Sequence, residues 1–339
     1  MRRYLRRLLF AMLLGVVCYG AFVLYAGYRE IGSSLAVFRW RAFVAALGLA
    51  SLNYGLRFLK WEYYLGRLGV TGITKADSLL IFLSGFVLTV TPGKVGEVFK
   101  SAVLSETHGV PAARTAPIVV AERLTDVIAV IVLIVVGSLG FAGGLMWAGI
   151  GIVLVLIGLL FILWPKPGLA VIAWVRNGPA RFQRLAPKLE DAFSSLRIVA
   201  SPSALLWPTL LSVIGWGCEG VALYLLLHGF GTPAPLPLAI FFYATATLAG
   251  AVIPVPGGLG VTEAIMQEGL VRLGGIPQGP GTAAMILTRF ATLWWAVVVG
   301  FVALAVLKAR FPNLLGENQA PMRAEESASA TDDTKRAIG

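Results

Sequence analysis

Charge is what this sequence has least of. Asp, Glu, Lys and Arg make up 13% of its 339 residues, against roughly 25% in an ordinary soluble domain. With 58% hydrophobic residues and a mean hydropathy of +0.82, that scarcity excludes a soluble globule. Two cysteines, Cys18 and Cys218, each lie inside an apolar run, so neither a disulfide framework nor a metal site is expected. The two histidines, His108 and His228, lack metal-ligand spacing. Neither Gly-x-Ser-x-Gly nor Gly-x-x-x-x-Gly-Lys-Ser/Thr occurs, which argues against the serine nucleophile elbow and the ATP phosphate loop. No cofactor is expected. The formal net charge of +11 comes without a soluble basic domain that could present a groove or recognition helix, so nucleic acid is not an expected partner. Basic residues bordering apolar spans read as topology signals instead.

What the chain does have is apolar length. Residues 8–27 and 127–164 are free of charge, and the second stretch is long enough for two crossings at about 20 residues each. Further spans are expected at 41–65, 115–139, 144–164, 203–229 and 281–308, with Gly140, Gly143 and Gly144 as the break inside the 127–164 stretch. The basic start, Met1 to Arg7, followed by a long apolar run without a small-x-small cleavage pattern, predicts a retained first helix with the N-terminus inside. Residues 28–40 read as a short loop. Arg57, Lys60, Trp61 and Glu62 at the end of the 41–65 span read as an interface anchor.

Two apolar segments are broken in a way no uninterrupted membrane helix tolerates. Segment 78–105 contains Thr91-Pro92-Gly93-Lys94-Val95-Gly96-Glu97, and segment 236–272 contains Pro254-Val-Pro256-Gly257-Gly258-Leu-Gly260-Val-Thr-Glu263. Proline and glycine there free backbone groups that must lie inside protein or line a wet cavity. Pro92 aligns with Pro256 at an offset of 164, and Arg123 with Arg289 at 166. Counting crossings makes the two units antiparallel. The expected fold class is therefore an all-α polytopic membrane protein, about six full spans of about 20 residues plus two Pro-Gly-broken re-entrant hairpins in an inverted repeat. The units are 1–40 (first helix and loop), 41–140 (repeat one), 141–202 (connecting span and basic loop), 203–310 (repeat two) and a disordered tail, 311–339. Lys166, Arg176, Arg181, Arg184, Lys188 and Arg197 in the loop 165–202, with Lys308 and Arg310 after the last span, place both termini on the cytoplasmic side. Within that loop Phe182, Leu185, Leu189, Phe193 and Leu196 share a helical face, predicting a membrane-surface helix kinked at Pro187.

Ionisable residues inside apolar segments are costly unless paired or wet. Here they are Lys94, Glu97, Lys100, Glu122, Arg123, Asp126, Glu219, Glu263, Glu268 and Arg289. One reading makes them ion pairs that hold broken helices against their neighbours. The other makes Lys94, Arg123 and Arg289, with half-helix N-termini, receptors for an anionic phosphate headgroup. Glu97 and Glu263 would then orient those cations, receive a cationic part of the substrate, or take up a proton.

Arg57 with Trp61, Pro92-Gly-Lys-Val-Gly-Glu97-Val-Phe-Lys100, Glu122-Arg123-Leu-Thr-Asp126 and Pro256-Gly-Gly-Leu-Gly-Val-Thr-Glu263, in this order, carry a resemblance. The chain resembles the lysylphosphatidylglycerol synthase transmembrane-region, or flippase-like, family of bacterial and archaeal membrane proteins, up to about residue 310. The resemblance implies lipid translocation in a cytoplasmic membrane, with Arg57, Pro92, Gly93, Lys94, Gly96, Glu97, Lys100, Glu122, Arg123, Asp126, Pro256, Gly257, Gly258, Gly260, Glu263 and Arg289 at the substrate site. Polar residues 311–339 follow the last span, so the expectation is a stand-alone membrane part without a synthase domain. Glu97 directly follows Gly96 whereas Glu263 comes three after Gly260, so the two glutamates need not be equivalent. The rival expectations are an intramembrane transferase or hydrolase acting on lipid-linked substrates, and an accessory subunit working with a separate lipid-modifying enzyme.

Overall fold

The structure, a computed structural model, describes residues 28–90, 97–140, 186–232, 234–253, 255–312 and 314, with the single residues 17, 24, 149 and 153. The first helix, the 144–164 span, the tail and the break at 91–96 lie outside the described residues.

Every regular element among them is helical. In chain order they are α1 (Tyr28–Ala36), α2 (Trp40–Arg67), α3 (Lys75–Ser84, continued by a 3-10 turn Gly85–Leu88), α4 (Phe99–His108), α5 (Ala112–Thr115) and α6 (Pro117–Ser138). After them come α7 (Ala186–Val199), α8 (Pro202–Gly229), α9 (Leu236–Val252), α10 (Val261–Glu268), α11 (Gln278–Arg289) and α12 (Trp295–Arg310). Prolines in the first turn set the starts of α6, α8 and α9, where a missing N–H leaves no helical bond unmade. Helices α11 and α12 join through a π turn, Phe290–Trp294, into one 33-residue helix. That helix, α2 and α8 are each long and apolar enough to cross a membrane. Helix α6 spans 22 residues but carries Glu122, Arg123 and Asp126 near its start.

The second break has the form its prolines and glycines require. Helix α9 ends at Val252, Val255 is extended, and Pro256–Gly258 make one 3-10 turn before α10 begins. Gly257 (φ 62°) and Gly260 (φ 86°) take backbone conformations closed to most side chains, which is why this sequence cannot continue as helix.

Two readings change. Residues 28–40 are not simply a loop: Tyr28–Ala36 is helical, because Ile31 and Leu35, four apart, turn one face into the core against α11. Of the 165–202 loop, residues 186–202 are described, with Pro187 at the edge of the described residues, and Ala186–Val199 is helical. Its Leu196 and Val199 pack inward with the core, and the helix lies on α5 and α6. Phe182 and Leu185 lie outside the described residues.

The core divides into two large apolar clusters. One gathers residues from α6, α8, α9 and α11, including Leu133, Leu226, Phe242 and Met285. The other gathers α2, α3, α4 and α12, including Trp61, Phe82, Leu104 and Leu307. Along α6 the ionisable residues fall between Ala121 of the second cluster and Ala129 of the first, so a polar layer is enclosed by apolar packing at both ends. Helices α2 and α8, 28 residues each, pack along one another more extensively than any other described pair.

Candidate substrate cavity in the polar layer

Along α2, Asn53, Arg57 and Lys60 recur at four and three residues and so share one helix face. That face meets α6. Lys60 donates to Asp126 at 2.7 Å and to Ser212 Oγ of α8 at 2.6 Å. Arg57 donates to one oxygen of Glu97 at 3.1 Å, and Arg123 to the other at 2.9 Å. Arg123 also lies 3.0 Å from Asp126. Among the described residues, three cations thus share these two carboxylates. The Nε of Arg123 is buried without a hydrogen-bond partner among the described residues.

At the second break, Arg289 donates through Nε to Glu263 at 2.6 Å and through Nη2 to the Gly257 carbonyl at 2.7 Å, tying α11 to the turn. The other oxygen of Glu263 accepts from the Gly260 N–H at 2.7 Å. The positive end of α10 is therefore already answered by a carboxylate of its own first turn, and the half-helix N-terminus expected to receive phosphate is occupied there. Both breaks carry the same clamp: Glu97 to Arg123 and Glu263 to Arg289 each join residues 26 apart. The unequal distances of the two glutamates from their glycines do not prevent equivalent pairing. A third relation has the same register: Asn53 and Glu219 are 166 apart, the offset between the two clamps, and touch through a 2.5 Å hydrogen bond.

Between the clamps lies a cavity of about 290 Å³. Arg57, Arg123, Asp126, Gly257, Gly258 and Arg289 line it, together with Tyr54, Trp216, Glu219 and Tyr243. Val127 and Ala251, both exposed apolar residues, also line it. Its size is near the lower limit of small-molecule sites, about 300–1,000 Å³.

Not every expected site residue reaches this cavity. Lys100 pairs with Glu122 at 2.5 Å and stacks over Trp61 and Phe82, with its ammonium 4.6 Å and 5.2 Å from the ring centroids. Neither Lys100 nor Glu122 is part of the lining. Glu97, Glu263, Pro256 and Gly260 are not part of the lining either, though the two glutamates pair with arginines that are. Pro92, Gly93, Lys94 and Gly96 lie outside the described residues. Lys60 and Trp61, read as an interface anchor, are 1% and 0% exposed: the lysine is a buried counter-ion. Asn53, Lys60, Ser212 and Tyr243 were not singled out for the site in sequence. The spacing of Asn53, Arg57 and Lys60 on one face of α2 was the signal available for the first two.

Comparison with known proteins gives a family. The family model described as lysylphosphatidylglycerol synthase TM region matches residues 12–300. Two proteins of Methanothermobacter thermautotrophicus, each named UPF0104 membrane protein, are similar to parts of the chain. One is 24% identical over 147 residues, 40% of this chain and 43% of the relative. The other is 24% identical over 119 residues, 35% of each. The chain spans less than half the length of the curated relatives it matches.

Proposed function

Since the chain belongs to the lysylphosphatidylglycerol synthase TM-region family, we propose that it moves a lipid with an anionic, phosphate-bearing headgroup between the two leaflets. The observation that carries this reading is the cavity lined by Arg57, Arg123 and Arg289 between two clamps of equal register. Guanidinium groups match phosphate geometry, and here they are held in place by carboxylates rather than left to swing. A volume of about 290 Å³ admits a headgroup but not two acyl chains, and the exposed apolar lining residues Val127 and Ala251 suit a lipid whose chains stay in the bilayer.

In this reading the two broken segments belong to inverted units, and the headgroup passes between them by alternating exposure to the two sides. The membrane is the cytoplasmic membrane of a bacterium or archaeon, with both termini inside, as the basic residues of the 165–202 loop and of the α12 exit support. A separate lipid-modifying enzyme is a natural partner, supplying or consuming the lipid that is moved.

The test is reconstitution into liposomes carrying headgroup-labelled phosphatidylglycerol, with an impermeant quencher added outside. Wild-type protein should make the inner-leaflet label accessible, while Glu97→Gln, Arg123→Ala and Arg289→Ala slow that exchange. Protein-containing vesicles that match empty ones for labelled lipids of every headgroup class in a membrane extract would sink the proposal. Mass spectrometry of the same lipid separates relocation from chemistry, since a covalently changed product points to an enzyme.

A further inference from the structure

Thr89 follows the 3-10 turn that extends α3, just before the first break. Its N–H closes that turn on the Phe86 carbonyl at 3.1 Å. Residues three apart in a 3-10 turn stand one above the other, so Thr89 continues the edge that Phe86 begins, about 6 Å further along. That edge faces α2: the Arg57 guanidinium lies 5.2 Å from the centroid of the Phe86 ring, and the Tyr54 ring 5.0 Å from it. The next residue, Val90, runs against the second break, where a Cβ on Gly257 would stand 3.5 Å from the Val90 Cα. Thr89 is thus placed where the two broken segments meet, and it lines the cavity together with Tyr54, Arg57 and Gly257.

The hydroxyl at this place is unusual. Thr89 is 5% exposed, and its Oγ1 is enclosed without a hydrogen-bond partner among the described residues. Thr292, which lines the same cavity, shows the ordinary solution: it returns its hydroxyl to the Thr288 carbonyl at 2.9 Å. Enclosing a hydroxyl unpaired is unfavourable, and a valine side chain would have nearly the same shape without that cost. The backbone of Thr89 is helical in form (φ −57°, ψ −29°), where threonine divides between two χ1 positions. Turning from one to the other breaks no hydrogen bond and re-aims Oγ1. Next to the hydroxyl stands Arg57, so the ligand it meets is an anion, and an O–H donated to a charged oxygen is one of the short, strong hydrogen bonds.

We propose that Thr89 is a ligand of the headgroup phosphate, donating its hydroxyl to a phosphate oxygen that Arg57 also attracts. This rests on the headgroup reading given above and adds a neutral donor to its arginines. The hydroxyl gains its partner only with the lipid, so its bond counts toward affinity and not toward the stability of the lipid-free protein.

The experiment is calorimetric titration of the purified full chain in detergent with dihexanoyl phosphatidylglycerol, dihexanoyl phosphatidic acid and inorganic phosphate, beside thermal unfolding of the lipid-free protein. Thr89→Val should bind both lipids more weakly than wild type by about tenfold or more, the loss expected of one hydrogen bond to a charged group. Its unfolding temperature should stay level or rise. Thr89→Ser keeps the hydroxyl and should bind as wild type does. A Thr89→Val protein that binds both lipids like wild type overturns the assignment and leaves the headgroup reading standing. So does a loss confined to phosphatidylglycerol, which would put the hydroxyl on the headgroup glycerol. A Thr89→Val protein that unfolds earlier than wild type, or fails to fold, also overturns it, since the hydroxyl would then have a structural partner. Inorganic phosphate bound as tightly as either lipid, and weakened by Thr89→Val, keeps Thr89 as a phosphate ligand and overturns the headgroup reading. A wild type that binds none of the three overturns both.

Discussion

Lys60 is 1% exposed and reaches Asp126 and Ser212 at ordinary hydrogen-bond distances. Lys60→Met removes a buried counter-ion and leaves Asp126 shared with Arg123 alone, so it should destabilise the protein by roughly 3–5 kcal/mol. Unfolding in detergent reads that loss. Adding Asp126→Leu should recover part of it, because a buried pair replaced whole by apolar groups is far less harmful than a pair cut in half. Arg289 differs in kind, since its guanidinium joins Glu263 to the Gly257 carbonyl through two nitrogens. Arg289→Lys keeps the charge but cannot hold both partners, and losing one charge-assisted bond of about 1.5–3 kcal/mol should weaken lipid binding by roughly ten- to a hundredfold. Titration with a soluble short-chain phospholipid measures it. These residues were visible in sequence because an ionisable group in an apolar run stands out. Asn53 and Tyr243 were not visible as site residues: a neutral amide and a phenol raise no alarm there, and only the α2–α8 and α8–α9 contacts bring them to Glu219. Lys60 was visible but misread, since a lysine near the end of an apolar span looks the same whether it reaches water or a buried aspartate.

At the scale of elements, the second break depends on three glycines at positive φ, Gly257, Gly258 and Gly260. Gly257→Ala and Gly260→Val each place a side chain at positive φ, a conformation that costs roughly 1–2 kcal/mol for an L residue. Leaflet exchange should fall while helix content by circular dichroism stays unchanged, because only the turn between α9 and α10 is strained. A third substitution probes the central helix pair. A Cβ on Gly215 would stand 2.3 Å from Asn53 Oδ1, so Gly215→Leu should force α2 and α8 apart and lower the unfolding temperature in detergent. Much of this level was legible. The spans expected at 41–65 and 203–229 are the helices Trp40–Arg67 and Pro202–Gly229, and Pro256 with its glycines marked the break. What escaped was set by tertiary contact. The polar residues Arg29, Glu30, Ser33 and Ser34 hide the helical period of Tyr28–Ala36, which its contact with α11 brings out. The apolar face of Ala186–Val199 looked the same in sequence whether it met lipid or protein.

For the whole molecule, the polar layer between two apolar clusters has a bearing on how the chain is made. Helix α6 carries Glu122, Arg123 and Asp126 in its first half. Each ionisable residue adds roughly 2.5–3.5 kcal/mol against insertion near a helix centre, so α6 is a poor membrane segment by itself. In an insertion reporter, residues 117–138 alone should fail to integrate, whereas the same segment preceded by residues 28–110 should be retained. The partners that make retention possible are Lys60 of α2 and Lys100 of α4. Both lie earlier in the chain than the carboxylates of α6 that they neutralise. During synthesis the cations are therefore threaded first and wait in the membrane for acids that have not yet left the ribosome. For these two pairs biogenesis, as much as function, then fixes the order in which the charges are written along the chain.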